Sequence, residues 1–429
     1  MLNPITNKIH FAIILLLASF PLWNAKLIPI LIIIWLASNL IYGIFQYRNV
    51  KLGSIKPLLI QSSLFILIFI YTIFIDRSKE AHFFLERSLS LIIFPIGFYY
   101  NPIQFNSKQL NSIKLTFSGA SLLIVLICSI FAFIDLFQYV GPNKICNNTS
   151  ELINHPSFQF SYRRSFEIFS ELHPTYASMY LGLSVIFILD LLILNLSIWS
   201  KKLIGIGFLV IGIILLLMAF LASRTPFAAT IMVSMLLVFM RLKKKIYFVY
   251  ALASALLLSM VLYFSVPSFS ARLSQISISN TSIPNESGVG DSFNMRSGIL
   301  HCSLELIQQN WLMGVGPGKA QEKLDNCYME IAPKVYEGFH FNTHNQFLGY
   351  WLEIGILGIF TLFFILFTIS VQGIKTHNLI SLFVCVFFAI CFLTENIMVR
   401  QQGIVAVAFF LNLFYFSDYK AKLNNESNL

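Results

Sequence analysis

Apolar residues fill long, nearly unbroken runs separated by short polar breaks, the pattern of helices surrounded by hydrocarbon rather than of elements with one wet face. A helix needs about 20 mostly apolar residues to cross a bilayer core, and shorter ones serve when tilted or packed in a bundle. Twelve runs fit, near 10–24, 27–46, 58–75, 88–105, 115–140, 173–198, 203–222, 226–240, 246–266, 346–371, 379–397 and 402–417. Two stretches that would face the same side, 141–172 and 267–345, are too long to be connectors. Within the second, 292–309 places Ile299, Leu300, Ser303, Leu304 and Ile307 at helical spacing, which predicts an amphipathic helix on or just above the membrane face. Ahead of it, 277–290 is rich in Ser, Asn and Gly and reads as a linker. The chain therefore reads as an all-α polytopic membrane protein: nine helices over 1–266, a large loop over 267–345, three helices over 346–417 and a tail at 418–429.

Composition agrees. At 429 residues, 57% hydrophobic against 11% charged with mean hydropathy +0.76 excludes a soluble enzyme. No block of five like charges exists, which argues against a nucleic-acid-binding tail. Lys8 ahead of the apolar stretch 11–23 resembles an export signal, but no small-x-small cleavage site precedes Asn24 and the next run starts at once, so a retained hairpin is expected.

The net charge of +10 reports topology. With the amino terminus inside, the inward connections hold fifteen Lys and Arg, led by Arg241, Lys243, Lys244 and Lys245. The short outward ones hold six: Lys26, Arg77, Lys79, Arg87, Arg224 and Arg400. Short-loop cations set orientation, so both termini are expected in the cytoplasm. Only Asp418 and Glu426 are acids on the inner side, whereas fourteen acids fall outside and Asp135, Asp190 and Glu353 lie within runs. Polar chemistry thus gathers outward. Cys302 and Cys327 face that side and could bridge to close the large loop, with Cys146 as a rival partner. No CxxC or Cys/His metal spacing is present, and no outward Asp-x-Asp or Glu-x-Asp pair offers ligands to a divalent cation.

Four outward features carry candidate chemistry. Ser223-Arg224-Thr225-Pro226 breaks two apolar runs and leaves an arginine in a tight turn; it reads either as a snorkelling anchor or as a guanidinium aimed at a fixed anion. Arg296 opens the amphipathic segment, where a cation opposes the helix dipole and calls for an acid or a bound phosphate to hold it. A guanidinium fork matches phosphate oxygens, and two of them could grip a pyrophosphate. Gly314-Val315-Gly316-Pro317-Gly318 reads as a turn before it reads as a phosphate cradle. His344, in Asn342-Thr343-His344-Asn345-Gln346 at the outer mouth of a run, is a structural hydrogen-bonder or a base toward a hydroxyl, since an imidazole exchanges protons near neutrality. Glu353, nine residues on, would lie about 13 Å deeper on a continuous helix and on the opposite face, and so could not orient His344.

This pattern resembles the O-antigen ligase and O-antigen polymerase superfamily of bacterial membrane glycosyltransferases. The resemblance rests on His344-Asn345 followed after nine residues by Gly355 and after two more by Gly358. Ser223-Arg224 and Arg296 followed by Trp311, Gly314, Val315, Gly316 and Gly318 add to it. It spans about 220 to 400, while the first half agrees in topology alone. It implies a GT-C-like fold of about twelve helices in the bacterial inner membrane, with a large periplasmic loop containing amphipathic helices. It also implies transfer at the periplasmic face, with neither metal nor cofactor, of a glycan from undecaprenyl pyrophosphate to an acceptor sugar hydroxyl on lipid A core or a similar glycolipid or glycan. Arg224 and Arg296 would hold the pyrophosphate and His344 would be the base, with Asn345 and Gly316 beside them in the motifs. Arg163, Arg164, His173 and Tyr176 near the first long loop, with Glu395 and Arg400 at the last outward turn, could line the acceptor cleft or anchor the interface. A polymerase extending another lipid-linked repeat is the alternative. A flippase is less favoured, because few charges lie within the runs and no inverted repeat is visible.

Overall fold

The computed structural model describes residues 4–46, 54–101, 103–155, 158–265, 283–284 and 292–426. The expected linker at 277–290 lies outside the described residues, apart from Ile283 and Pro284. Among the described residues the chain is all-helical, with one isolated bridge between Val140 and Cys146. In chain order the helices are α1 (Pro4–Ala18), α2 (Ile28–Gln46), α3 (Lys56–Phe74), α4 (Lys79–Arg87), α5 (Ser90–Tyr99), α6 (Ser107–Phe137), α7 (Thr149–Asn154), α8 (Phe158–Ser170), α9 (Pro174–Leu194) and α10 (Lys201–Leu221). There follow α11 (Arg224–Arg241), α12 (Ile246–Ser265), α13 (Ser292–Gln309), α14 (Ala320–Ile331), α15 (Pro333–Tyr336), α16 (Gln346–Ile354), α17 (Ile356–Lys375), α18 (Leu379–Phe392) and α19 (Gln401–Glu426).

Eight helical segments among the described residues are long and apolar enough to cross a membrane: α3, α4 with α5, α6, α9, α10, α11, α17 and most of α19. Shorter apolar helices at Asn7–Ala18, Ile28–Tyr42, Ile246–Val261 and Leu379–Phe392 occupy the remaining predicted runs. This is a multi-pass membrane chain.

The residues divide into two compact units, each discontinuous in sequence. The first comprises Met1–Asn49 with Pro102–Ser274, the second Val50–Asn101 with Gln275–Leu429. In the first, α9 is apolar on all sides and buried over most of its length, with α6, α10 and α11 packed around it, as expected of a helix with no lipid-facing stripe. Two of the three acids predicted inside the runs, Asp190 and Asp135, find partners there. Asp190 of α9, 1% exposed, takes Lys114 of α6 at 3.2 Å and Arg241 of α11 at 3.0 Å. Asp135 accepts the Ser165 hydroxyl of α8 at 2.5 Å. Lys114, one of the fifteen cations expected in inward connections, is instead buried inside α6, where Asp190 offsets its desolvation.

In the second unit α19 is the interior helix, against α5, α17 and α18. The long segment between α12 and α16 folds, with Leu352 of α16, on a small core of Ile299, Cys302, Ile307, Leu324, Tyr328 and Tyr336. Cys302 bridges Cys327, with Cα atoms 5.8 Å apart, while Cys146 is a buried free thiol and not a partner. The bridge sets the phase of α13. Ile299, Cys302, Ser303 and Ile307 point inward, whereas Leu300 and Leu304, expected on the same stripe, are exposed.

Two predicted runs differ from the structure. The run near 88–105 begins earlier, since Ser78 caps α4 by accepting from the Ala81 amide at 3.2 Å and α4 leads into α5. The run 346–371 is interrupted at Gly355, whose φ of +72° ends α16 before α17 begins.

Candidate active site

The break at Gly355 organises the His344 region. In an unbroken helix the Ile356 amide would donate to the Leu352 carbonyl; here it donates to the Trp311 carbonyl at 3.0 Å. The Leu352 and Glu353 carbonyls, released by the break, accept instead from the Val315 and Gly316 amides at 2.7 and 3.1 Å. The Trp351 indole also donates to the Trp311 carbonyl, at 3.0 Å. The glycines make this interlock sterically possible, because a Cβ on Gly314 would lie 2.6 Å from the Leu352 carbonyl oxygen and one on Gly355 2.1 Å from that of Leu312.

The far side of the loop is held by Asp76, between α3 and α4. Its carboxylate accepts the Gly318 amide at 2.8 Å and the Ser78 amide at 3.2 Å. Burial pushes the Asp76 carboxyl up, but bonds from Ser78 and Gly318, with the charge of Lys319, outweigh it and hold the group below its ordinary value. The amides of Gly314, Val315, Gly316 and Gly318 thus all serve protein acceptors, that of Gly318 being the Asp76 carboxylate. A Cβ on Gly316 would lie 2.6 Å from that carboxylate.

His344 leads into α16. It has φ +45°, and its amide donates to the Asn342 side chain at 3.0 Å. Asn345 caps α16 by accepting from the Phe347 and Leu348 amides at 3.0 and 3.1 Å, a strong cap for a helix start. The buried Asn396, on the turn between α18 and α19, accepts from the Asn345 amide at 2.7 Å. Thr343 reaches the same Asn396 oxygen at 3.1 Å, and the Met398 amide donates to Gln346 at 2.7 Å. Stapled to that turn, the His344 ring presents Nδ1 to Glu395, 3.3 and 3.4 Å from its two carboxylate oxygens. Both side chains remain about one quarter accessible. Glu395 is therefore the carboxylate that faces His344, and Arg400 ends the same turn. Glu353, half-buried on α16, encloses one unpartnered carboxylate oxygen, and Arg87 of α4 is the cation that acts on it.

Arg296 lies one turn inside α13 rather than at its first residue. It is exposed, and among the described residues no acid or other hydrogen-bond partner holds it.

In the first unit, Ala222 ends α10 at φ +47° and Ser223 precedes Arg224, the first residue of α11. Arg163 of α8 donates to the Ala222 carbonyl at 3.3 Å. The same α8 face opens on a cavity of about 630 Å³ lined by Phe160, Arg163, Arg164, Glu167, Glu171 and His173 among others. His173 also caps α9, its Nδ1 accepting from the Thr175 amide at 3.3 Å. Tyr176 is buried, 4% exposed, and does not line the cavity. Among the described residues no group of three His, Cys, Asp or Glu could hold a metal ion.

No curated protein matches the chain. A family model described as O-antigen ligase matches residues 209–364, the stretch that carries Arg224, Arg296, the Gly314–Gly318 loop and His344, and over that stretch the chain is similar to the O-antigen ligase family.

Proposed function

We propose that the chain is an O-antigen ligase-type glycosyltransferase that moves a glycan from undecaprenyl pyrophosphate to a sugar hydroxyl of lipid A core or a similar acceptor. It crosses the bacterial inner membrane about twelve times in a GT-C-like arrangement, with both termini cytoplasmic and its chemistry facing the periplasm.

The pairing of His344 with Glu395 carries the reading. A carboxylate at Nδ1 favours the tautomer with its proton there, leaving the Nε2 lone pair free to act as base. The acceptor oxygen attacks the anomeric carbon as its proton passes to Nε2, and the bond from that carbon to the pyrophosphate oxygen breaks. The electron pair leaves with undecaprenyl pyrophosphate. Glu395 offsets the positive charge that forms on the imidazole. Arg224 and Arg296 each offer a guanidinium fork to the pyrophosphate and meet the charge that grows on it, without a metal ion. Arg296, exposed and without a protein partner among the described residues, suits that task. The α8 cavity mixes guanidinium donors, carboxylate acceptors and an exposed phenyl ring, a lining fitted to a saccharide, and we assign it to the acceptor.

A polymerase would use the same donor and the same base. The single large late loop favours the ligase. The deciding experiment supplies purified chain with lipid-linked glycan and either lipid A core or a second lipid-linked repeat, and asks by mass spectrometry which one is extended.

A further inference from the structure

We propose that Tyr336 is the positioning residue for Arg296, an inference that rests on the pyrophosphate role given to that arginine. Helix ends fray unless something outside the helix ties them down, and Arg296 stands only one turn into α13. The tie is the Tyr336 hydroxyl, which donates to the carbonyl of Met295, the residue immediately before Arg296, at 2.8 Å. Tyr336 comes from α15, forty-one residues away, and is 1% exposed.

Three further features serve this one contact. The Tyr336 ring stacks on Tyr328 with centroids 4.9 Å apart and planes 22° apart, so the hydroxyl is aimed by a rigid neighbour. Gly298 opens the path, since a Cβ there would lie 2.2 Å from the Tyr336 hydroxyl oxygen and 3.1 Å from Ile331. The Cys302–Cys327 bridge joins α13 to α14, which carries Tyr328, so that both ends of the contact belong to one cross-linked core. Burial pushes the Tyr336 hydroxyl up to about 12, which keeps it a donor throughout the working pH range. The guanidinium itself stays exposed. The buried tyrosine fixes the turn from which it projects and does not touch what it binds.

The test uses the full chain in detergent with undecaprenyl pyrophosphate as probe. Tyr336→Phe keeps the ring stack and removes only the donor. It is expected to weaken probe binding roughly threefold to tenfold, the range of one misdirected contact. In transfer assays it should raise the donor KM by the same factor and leave the acceptor KM unchanged. On an Arg296→Ala background, Tyr336→Phe should weaken binding no further, because there is nothing left to position. Gly298→Ala, which displaces the hydroxyl, should reproduce the loss. Parent-like binding by Tyr336→Phe or by Gly298→Ala would overturn the inference, as would an equal loss on the Arg296→Ala background. Parent-like binding by Arg296→Ala alone would remove the pyrophosphate role of Arg296 itself, a result distinct from the others.

Discussion

His344 and Glu395, fifty-one residues apart in sequence, face each other through Nδ1 at 3.3 and 3.4 Å. The base role proposed for His344 predicts two separable losses. His344→Ala should lower transfer at least about a hundredfold while undecaprenyl pyrophosphate binding survives, since general-base catalysis contributes about that much or more. Glu395→Gln keeps a hydrogen-bond acceptor but removes the charge, and should lower kcat at least about tenfold with KM nearly unchanged. Loss of donor binding in His344→Ala would make the histidine a structural residue.

Arg224→Lys retains the charge and loses the fork. Binding of undecaprenyl pyrophosphate and the transfer rate should both fall by roughly tenfold or more, because a point charge does not replace two parallel N–H donors. Transfer should be unchanged by EDTA, and strong inhibition would show that a metal ion carries the charge assigned to the arginines.

Asp76→Asn should change stability in a pH-dependent way. A carboxyl held below its ordinary value of 3.8 contributes stability above that value and loses the contribution as the pH falls through its lower, folded value. The variant should therefore melt below the parent at about pH 7, with the gap closing as the pH is taken below about 4. Scanning fluorimetry across that interval checks both the sign and the window.

Gly355→Ala should be poorly tolerated. The backbone conformation costs a side chain roughly 1–3 kcal/mol, and the added Cβ would lie 2.1 Å from the Leu312 carbonyl oxygen. Lower melting and lost transfer are expected together, because the interlock that supports α16 opens. A variant with parent kinetics would show that the break does not position the histidine.

Reducing Cys302–Cys327 should loosen the α13–α15 segment before the rest of its unit. The bridge spans 25 residues, and a loop of that length is stabilised by about 3 kcal/mol. Hydrogen exchange in α13 and α14 should accelerate on reduction, with α17 and α19 unchanged.

Much of the architecture was legible in the chain, because apolar runs have few alternatives in lipid, and each of the twelve runs contains a helix. The break at Gly355 was hidden, since Phe347, Leu348, Ile354, Ile356 and Leu357 read as one apolar stretch on either side of it. Its signal was present in the glycines at 314, 316 and 355, whose interlock depends on backbone carbonyls that no side-chain pattern reports. The α13 stripe was mis-phased for a similar reason: Leu300 and Leu304 are as apolar as Ile299, and the bridge to Cys327 decides which face turns inward. His344 and Arg296 were found from local motifs. Glu395 had been singled out only as a cleft or interface candidate, while Asn396, which holds the Asn345 amide, Asp76, which holds the Gly318 amide, and Tyr336 come from distant parts of the sequence, and nothing local distinguishes them from ordinary residues.

The interruption at Gly355 also folds α16 back against α17, where Phe347 stacks on Phe363 with ring centroids 4.6 Å apart. A continuous helix would transmit every tilt of the lipid-embedded segment to the residues above it, and spans do tilt as bilayer thickness changes. Here the segment led by His344 is also bonded to the Trp311–Gly316 strap and to Asn396, so its orientation is fixed by backbone and side-chain ties that a continuous helix would not make.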